Sequence, residues 1–292
     1  MFKRSGPPGR RRINLRKTLF ILPNLVTLSS VFCGFDSIRL AAEANNPANG
    51  GGDDDFHRAA ILIVFAMIFD MLDGRVARMT KTQSAFGLQI DSLADVISFG
   101  VAPAMLVYQW SLHKLGTVVG LIASFVYVAC AAIRLARFNV TATDAEGKPA
   151  KPSKFFTGLP SPGAAGLLVS IVVANHAASG LLGRPEYAWI ILVITVLTGL
   201  LMVSNVHFRT FKDVRPNLRT SLFVAFAVGS SIVILLKMKP SYVLVWLLGF
   251  YVLLGIFETL WRLPARIRER REAAASGPDH GPSAPPPPPP AA

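Results

Sequence analysis

Long apolar runs, broken by short polar and basic stretches, recur along almost the whole chain. Several reach the ~20 residues that a helix needs to cross a hydrocarbon core. The pattern predicts membrane helices at about 19–42, 58–79, 91–110, 115–137, 159–178, 186–204, 219–237 and 241–262. The expected fold is therefore all-α, a polytopic membrane helix bundle of about eight transmembrane helices. Residues 1–17 form a basic, turn-rich arm. The apolar segment after the arm carries no small-residue cleavage site, so the arm is expected to stay on the protein. The helical domain is expected over 18–264, and 265–292 read as a basic and then Pro-rich tail that builds no core.

Composition narrows the function classes. Of the 292 residues 52% are hydrophobic and 16% charged, against about 25% charged in ordinary soluble domains. A soluble enzyme is excluded as the starting point. Cys33 and Cys130 both lie in apolar runs, which makes them helix-packing residues rather than a disulfide framework.

The net charge of +13 would suggest nucleic acid in a soluble chain. Here it follows the membrane topology instead. With eight spans, 24 of the 30 Lys and Arg fall on one side, which the positive-inside rule makes cytoplasmic, and six on the other. Both termini are then cytoplasmic, the expected location is the cell (inner) membrane, and the basic excess meets anionic membrane lipids, with no nucleic-acid partner.

Four acids interrupt the apolar pattern where charge is expensive, and intramembrane carboxylates mark functional sites by default. Asp70 and Asp73 lie about 60° apart on one face of the second predicted helix, an arc that Gly74, Ala77 and Arg78 extend. Gly87, Asp91 and Asp95 follow at four-residue steps on the third, drifting about 40° per step along one side. Asp73 and Asp70 are about 7 and 12 Å along the axis from Arg78, which places them in the cytoplasmic half of the bilayer. Four carboxylates facing one another in low dielectric repel unless cations neutralise them. All-oxygen ligation favours Mg²⁺ or Mn²⁺, and four acids on facing helices suit two ions at a phosphoryl-transfer site. A structural polar network is the alternative. Gly74 and Gly87 fit either the approach of a base or phosphate to the backbone or close helix packing.

Residues 70–95, DMLDGRVARMTKTQSAFGLQIDSLAD, match D-x2-D-G-x2-A-R-x8-G-x3-D-x3-D at every specified position. In this the chain resembles the CDP-alcohol phosphotransferase family, membrane enzymes that transfer a substituted phosphate from a CDP-linked donor to an alcohol and release CMP. Outside the motif, LPNLVTLSSVFCGF (22–35), DSLADVISFGVAPA (91–104), RLARFNV (134–140), FFTGLPSPGAAG (155–166) and MVSNVHFRTFKD (202–213) resemble the phosphatidylserine synthase branch. The likeness spans roughly residues 16–262.

The resemblance implies that Asp70, Asp73, Asp91 and Asp95 ligate the metals and that Asp95 also accepts the proton of the attacking hydroxyl. It implies that Gly74, Arg78 and Ser84, with Gly87 beside them, hold the CDP-lipid. Asn24, after Pro23, lines the nucleotide side or caps a helix. A serine carboxylate needs a cation, and Arg134 and Arg137 are the best placed, although positive-inside anchoring also explains them. Lys154 and Arg215 are weaker choices, and the histidines at 57, 113, 176 and 207 receive no chemistry, His176 reading as alone in an apolar run.

The implied reaction converts CDP-diacylglycerol and L-serine into phosphatidylserine and CMP. Another acceptor, glycerol 3-phosphate or inositol phosphate, is the rival within the family. A cation transporter is the rival from another class, since intramembrane acids also line ion paths. A homodimer is the default assembly.

Overall fold

The computed structural model describes residues 15–46, 52–80, 85–142, 156–208 and 218–256. The basic arm up to residue 14, the tail from 257, and Ser84, Lys154 and Arg215 lie outside the described residues. The chain runs through α1 (Leu15–Glu43), α2 (Asp53–Thr80), α3 (Ala85–Asp95), α4 (Ala102–Trp110), α5 (Thr117–Ala142), α6 (Ser161–Ala177), α7 (Ala188–Val203) and α8 (Leu218–Lys237), then α9 (Ser241–Ile256). α3 and α4 are one rod joined by a turn of π-helix, Val96–Val101. The rods therefore follow, in order, the eight apolar segments of the sequence.

Among the described residues, four rods are long and apolar enough to cross a membrane, at Pro23–Glu43, Phe86–Trp110, Thr117–Val140 and Pro185–Val203. The expected eight spans are not all of this kind. α2 has the length, with 28 residues, but acids and arginines interrupt its apolar run. α6, Phe226–Lys237 and α9 are apolar but shorter. The third rod starts at Ala85, six residues before the predicted 91, so that Gly87 and Asp91 lie on the same helix. A two-residue antiparallel ladder pairs β1 (Phe156–Thr157) with β2 (His207–Phe208), a detail too short to show in a hydropathy pattern.

Small and hydroxylated residues line many of the helix contacts, and a number of large apolar side chains face outward. Ala41, Ala59, Ala60, Ser37 and Ser98 are fully buried, whereas Phe32, Phe35 and Phe125 are about two-thirds exposed. That distribution suits lipid, which solvates Phe and Leu as well as a protein core does, so close contact between small residues does the packing. α1 lies along α2, tied by Ser37 Oγ donating to the Ala59 carbonyl at 2.8 Å. Gly34 is required at the crossing of α1 with the π turn, since a Cβ there would sit 3.0 Å from Ser98 Cα. Cys33 and Cys130 are buried and unbridged, in keeping with a packing role. α5 packs on α7 and α2 on α6 around a core that includes Trp110, Tyr127, Phe99 and Ile63.

Candidate metal centre

α2 and α3 enter and leave the segment 81–84 and present their acids to each other. Asp70, Asp91 and Asp95 each offer a carboxylate oxygen, and the three oxygens lie within 4.8 Å of one another. The carboxyls of Asp70 and Asp95 are within hydrogen-bonding reach. Among the described residues no cationic side chain forms an ion pair with any of the three. Three converging, partly buried carboxylates that lack a bonded cation fit a divalent ion, and their all-oxygen donor set suits a hard one.

Asp73 is not one of the three converging acids, although it is close enough to Asp70 and Asp91 to act on both electrostatically. It is 4% exposed and accepts a 2.6 Å hydrogen bond from Thr27 Oγ1 on α1. Thr27 Oγ1 also lies 3.1 Å from the Pro23 carbonyl, so the proline-containing turn of α1 aims the hydroxyl at the acid. The i, i+3 spacing put Asp73 on the same arc as Asp70, yet the neighbour it meets is a different helix. Thr27 was missed in the sequence, although it lies one turn after Pro23 within LPNLVT.

The cationic residues divide. Arg134 on α5 is close enough to Asp95 to act on it electrostatically, and its Nη1 donates to Ser161 Oγ at 2.7 Å. Its Nε is buried with no hydrogen-bond partner among the described residues. Arg137, one turn on, is exposed and donates to Asn205 Oδ1 at 3.2 Å. Among the described residues, the cation with an electrostatic contact to these acids is thus Arg134. Arg78 curls back over Gly74, where an added Cβ would lie 3.7 Å from its Nη1. Asn24 and Gly87 are half-buried on α1 and α3. Sequence reasoning also missed Ser161, the buried first residue of α6, and the pair Ser92 and Asn139, whose 2.8 Å bond ties α3 to α5 beside Asp91.

At the far end of α2 the histidines differ from expectation. His176 is not alone: its ring stacks on His57 with centroids 4.3 Å apart, and its Nδ1 is 3.6 Å from Asp54. Helix packing across α2 and α6 brings together residues 119 positions apart, which no local spacing shows.

The family model described as CDP-alcohol phosphatidyltransferase matches residues 20–201. The chain belongs to this family. Members generally use divalent metals, and the trio is where this one has the donors. The apolar rods make it a membrane protein.

A CDP-diacylglycerol--serine O-phosphatidyltransferase of Helicobacter pylori (strain ATCC 700392 / 26695) is 37% identical over 88% of this chain and 98% of its own. A protein of the same description from Mycobacterium leprae (strain TN) is 33% identical over 93% and 81%. An archaetidylserine synthase of Methanothermobacter thermautotrophicus is 34% identical over 65% and 71%.

Proposed function

We propose that this family member makes phosphatidylserine and CMP from CDP-diacylglycerol and L-serine. The observation that carries the reading is the convergence of Asp70, Asp91 and Asp95 within the family motif. The relatives described as serine phosphatidyltransferases, similar over nearly the whole chain, support the choice of acceptor. The enzyme lies in the cell membrane with eight spans and both termini cytoplasmic. Its site opens toward the cytoplasm, where serine enters and CMP leaves by water.

Asp70, Asp73, Asp91 and Asp95 would hold two Mg²⁺ or Mn²⁺ ions, the trio directly and Asp73 steadied by Thr27. When bound, such ions offset the charge of the diphosphate and of the departing CMP. Arg78, over Gly74, and Ser84 and Gly87 hold the CDP-lipid head, with Asn24 on the nucleotide side. Arg134 grips the serine carboxylate with its guanidinium, whose Nε has no hydrogen-bond partner among the described residues. Arg137 is the outer member of the pair.

The serine hydroxyl then points at the lipid-linked phosphorus and gives its proton to the Asp95 carboxylate as the new P–O bond forms. The bond to the CMP oxygen breaks in the same displacement, and CMP departs with the electron pair. Positioning and electrostatics supply most of the acceleration.

Purified enzyme in detergent should release CMP from CDP-diacylglycerol when serine and Mn²⁺ or Mg²⁺ are both present. CMP release driven equally by glycerol 3-phosphate or inositol phosphate would replace the acceptor. No CMP with any acceptor, together with metal-ion flux in vesicles, would replace the enzyme with a transporter.

A further inference from the structure

The rod that carries Asp91 and Asp95 changes its hydrogen-bond pattern at Val96, immediately after the second acid. Such single π turns cluster at functional sites, because the extra residue per turn re-aims the side chains around it. Here the change runs into Pro103. Phe99 lies at the end of the π turn, past the last π bond, in which the Ala102 N–H donates to the Ile97 carbonyl; as the rod returns to α pairing, the donor for Phe99 is residue 103, and proline has no N–H to give. The Phe99 carbonyl is fully buried at membrane depth, where an unsatisfied carbonyl is costly. It accepts instead from Tyr127 Oη on α5, at 3.1 Å.

Tyr127 is held for this task. It is wholly buried, and α7 presses on it so closely that a Cβ at Gly199 would come 3.1 Å from Tyr127 Cα. α5 also backs the π turn directly, with Ala131 Cβ 3.4 Å from where a Cβ on Gly100 would be. Phe99 lies one turn, about 6 Å, beyond Asp95.

We propose that Tyr127 is a positioning residue for the acidic centre. Its hydroxyl replaces the donor that Pro103 lacks, holds the π turn, and through it sets the Asp95 carboxylate against Asp70 and Asp91. The proposal rests on the metal reading of that trio. It requires that Tyr127 and Pro103 be coupled, although neither touches substrate.

The test is a double-mutant cycle of Tyr127→Phe and Pro103→Ala in full-length enzyme. The readouts are Mn²⁺ affinity by titration calorimetry, kcat, both substrate KM values and melting temperature. Loss of one such hydrogen bond should lower kcat about tenfold and weaken Mn²⁺ binding about fivefold in Tyr127→Phe, while both KM values change less than about twofold. In the Pro103→Ala background, where residue 103 can donate, the same Tyr127→Phe change should cost less than about twofold in either quantity.

Wild-type-like kcat and Mn²⁺ affinity in Tyr127→Phe, with only the melting temperature lowered, would overturn the proposal. So would an equal loss in both backgrounds, or failure of the double variant to fold, since it has the replacement donor. If Tyr127→Phe alone does not fold, the comparison of Pro103→Ala with the double variant decides. A wild-type chain that binds no Mn²⁺ would overturn the metal reading together with this proposal, whereas normal wild-type binding unchanged by Tyr127→Phe overturns this proposal alone.

Discussion

α2 carries acids at both ends, and the two groups live differently. At its start, Asp53, Asp54 and Asp55 sit in the first turn, where the helix dipole favours negative charge. Each finds a partner: Asp55 pairs with Arg58 at 3.4 Å, Asp54 meets His176 at 3.6 Å, and Asp53 accepts from Asn175 at 3.4 Å. Some 25 Å along the same helix, Asp70 faces Asp91 and Asp95 from α3, and among the described residues no cation is ion-paired to it. The first group is matched by the protein. The second leaves its charge to be matched by something that binds, so the same side chain suits a helix start in one place and, on the reading proposed above, a metal centre in the other.

The sharpest way to break this contrast is to neutralise acids at each end. Asp95→Asn should cost at least the factor of about 10² to 10⁴ typical of a lost general base, more if metal binding is also disturbed. Single Asn variants of Asp53, Asp54 and Asp55 should keep turnover within about twofold, as exposed or half-exposed pairs contribute little. Single-turnover rates in one detergent at saturating Mn²⁺ would show this. If Asp53→Asn were as inactive as Asp95→Asn, the functional division of α2 would fail.

A smaller effect is expected at Arg134. Removing a charge-assisted bond to the serine carboxylate should raise the KM for serine about 10- to 100-fold in Arg134→Ala and leave CDP-lipid affinity nearly intact. Arg134→Lys should recover part of the loss, since it keeps the charge but not the fork. Arg137→Ala should change the serine KM less, given its exposed position and its bond to Asn205. Steady-state kinetics with each substrate varied checks the order, and a larger effect at Arg137 would reverse the assignment.

Thr27→Val tests whether Asp73 belongs to the centre although it stands outside the trio. Losing the 2.6 Å bond should weaken Mn²⁺ binding about threefold to tenfold. Unchanged calorimetric titration would place Asp73 with the structural acids instead.

The smallest effect belongs to the far end. Lys114 Nζ donates to the carbonyls of Trp110 at 2.9 Å and Gly183 at 2.6 Å, closing the loop between α6 and α7. Lys114→Met should lower the melting temperature by about 2–4 °C, the shift expected for about 1 kcal/mol in a chain of this size, with kcat unchanged. A loss of turnover without a loss of stability would show that the two ends communicate.

Much of the centre was legible because an α-helix has a fixed angular step. The spacing of Asp70 from Asp73, and of Gly87, Asp91 and Asp95, sets which side of its own rod each occupies, and the apolar runs set the rods themselves. The all-helical order of the rods, the packing role of Cys33 and Cys130, and the acid-bearing faces all follow from that local geometry. The lengths were less secure. A run such as Ser161–Ala177 is apolar throughout yet short for a span, and hydropathy alone does not say where hydrogen bonding stops.

The membrane-helical architecture, the family motif and the faces on which its acids lie can thus be read from the chain alone. Tertiary structure alone decided that Asp73 turns to Thr27 while Asp70 joins Asp91 and Asp95, that Arg134 rather than Arg137 reaches the acids, and that His176 stacks on His57. It also decided that Tyr127 donates to the Phe99 carbonyl. The reason is physical. Position on one helix follows from a repeat of 3.6 residues, but which helices cross, and at what depth, depends on where small residues such as Gly34 and Gly199 let backbones approach. Those crossings join residues 28 to 119 positions apart, and no local pattern records them.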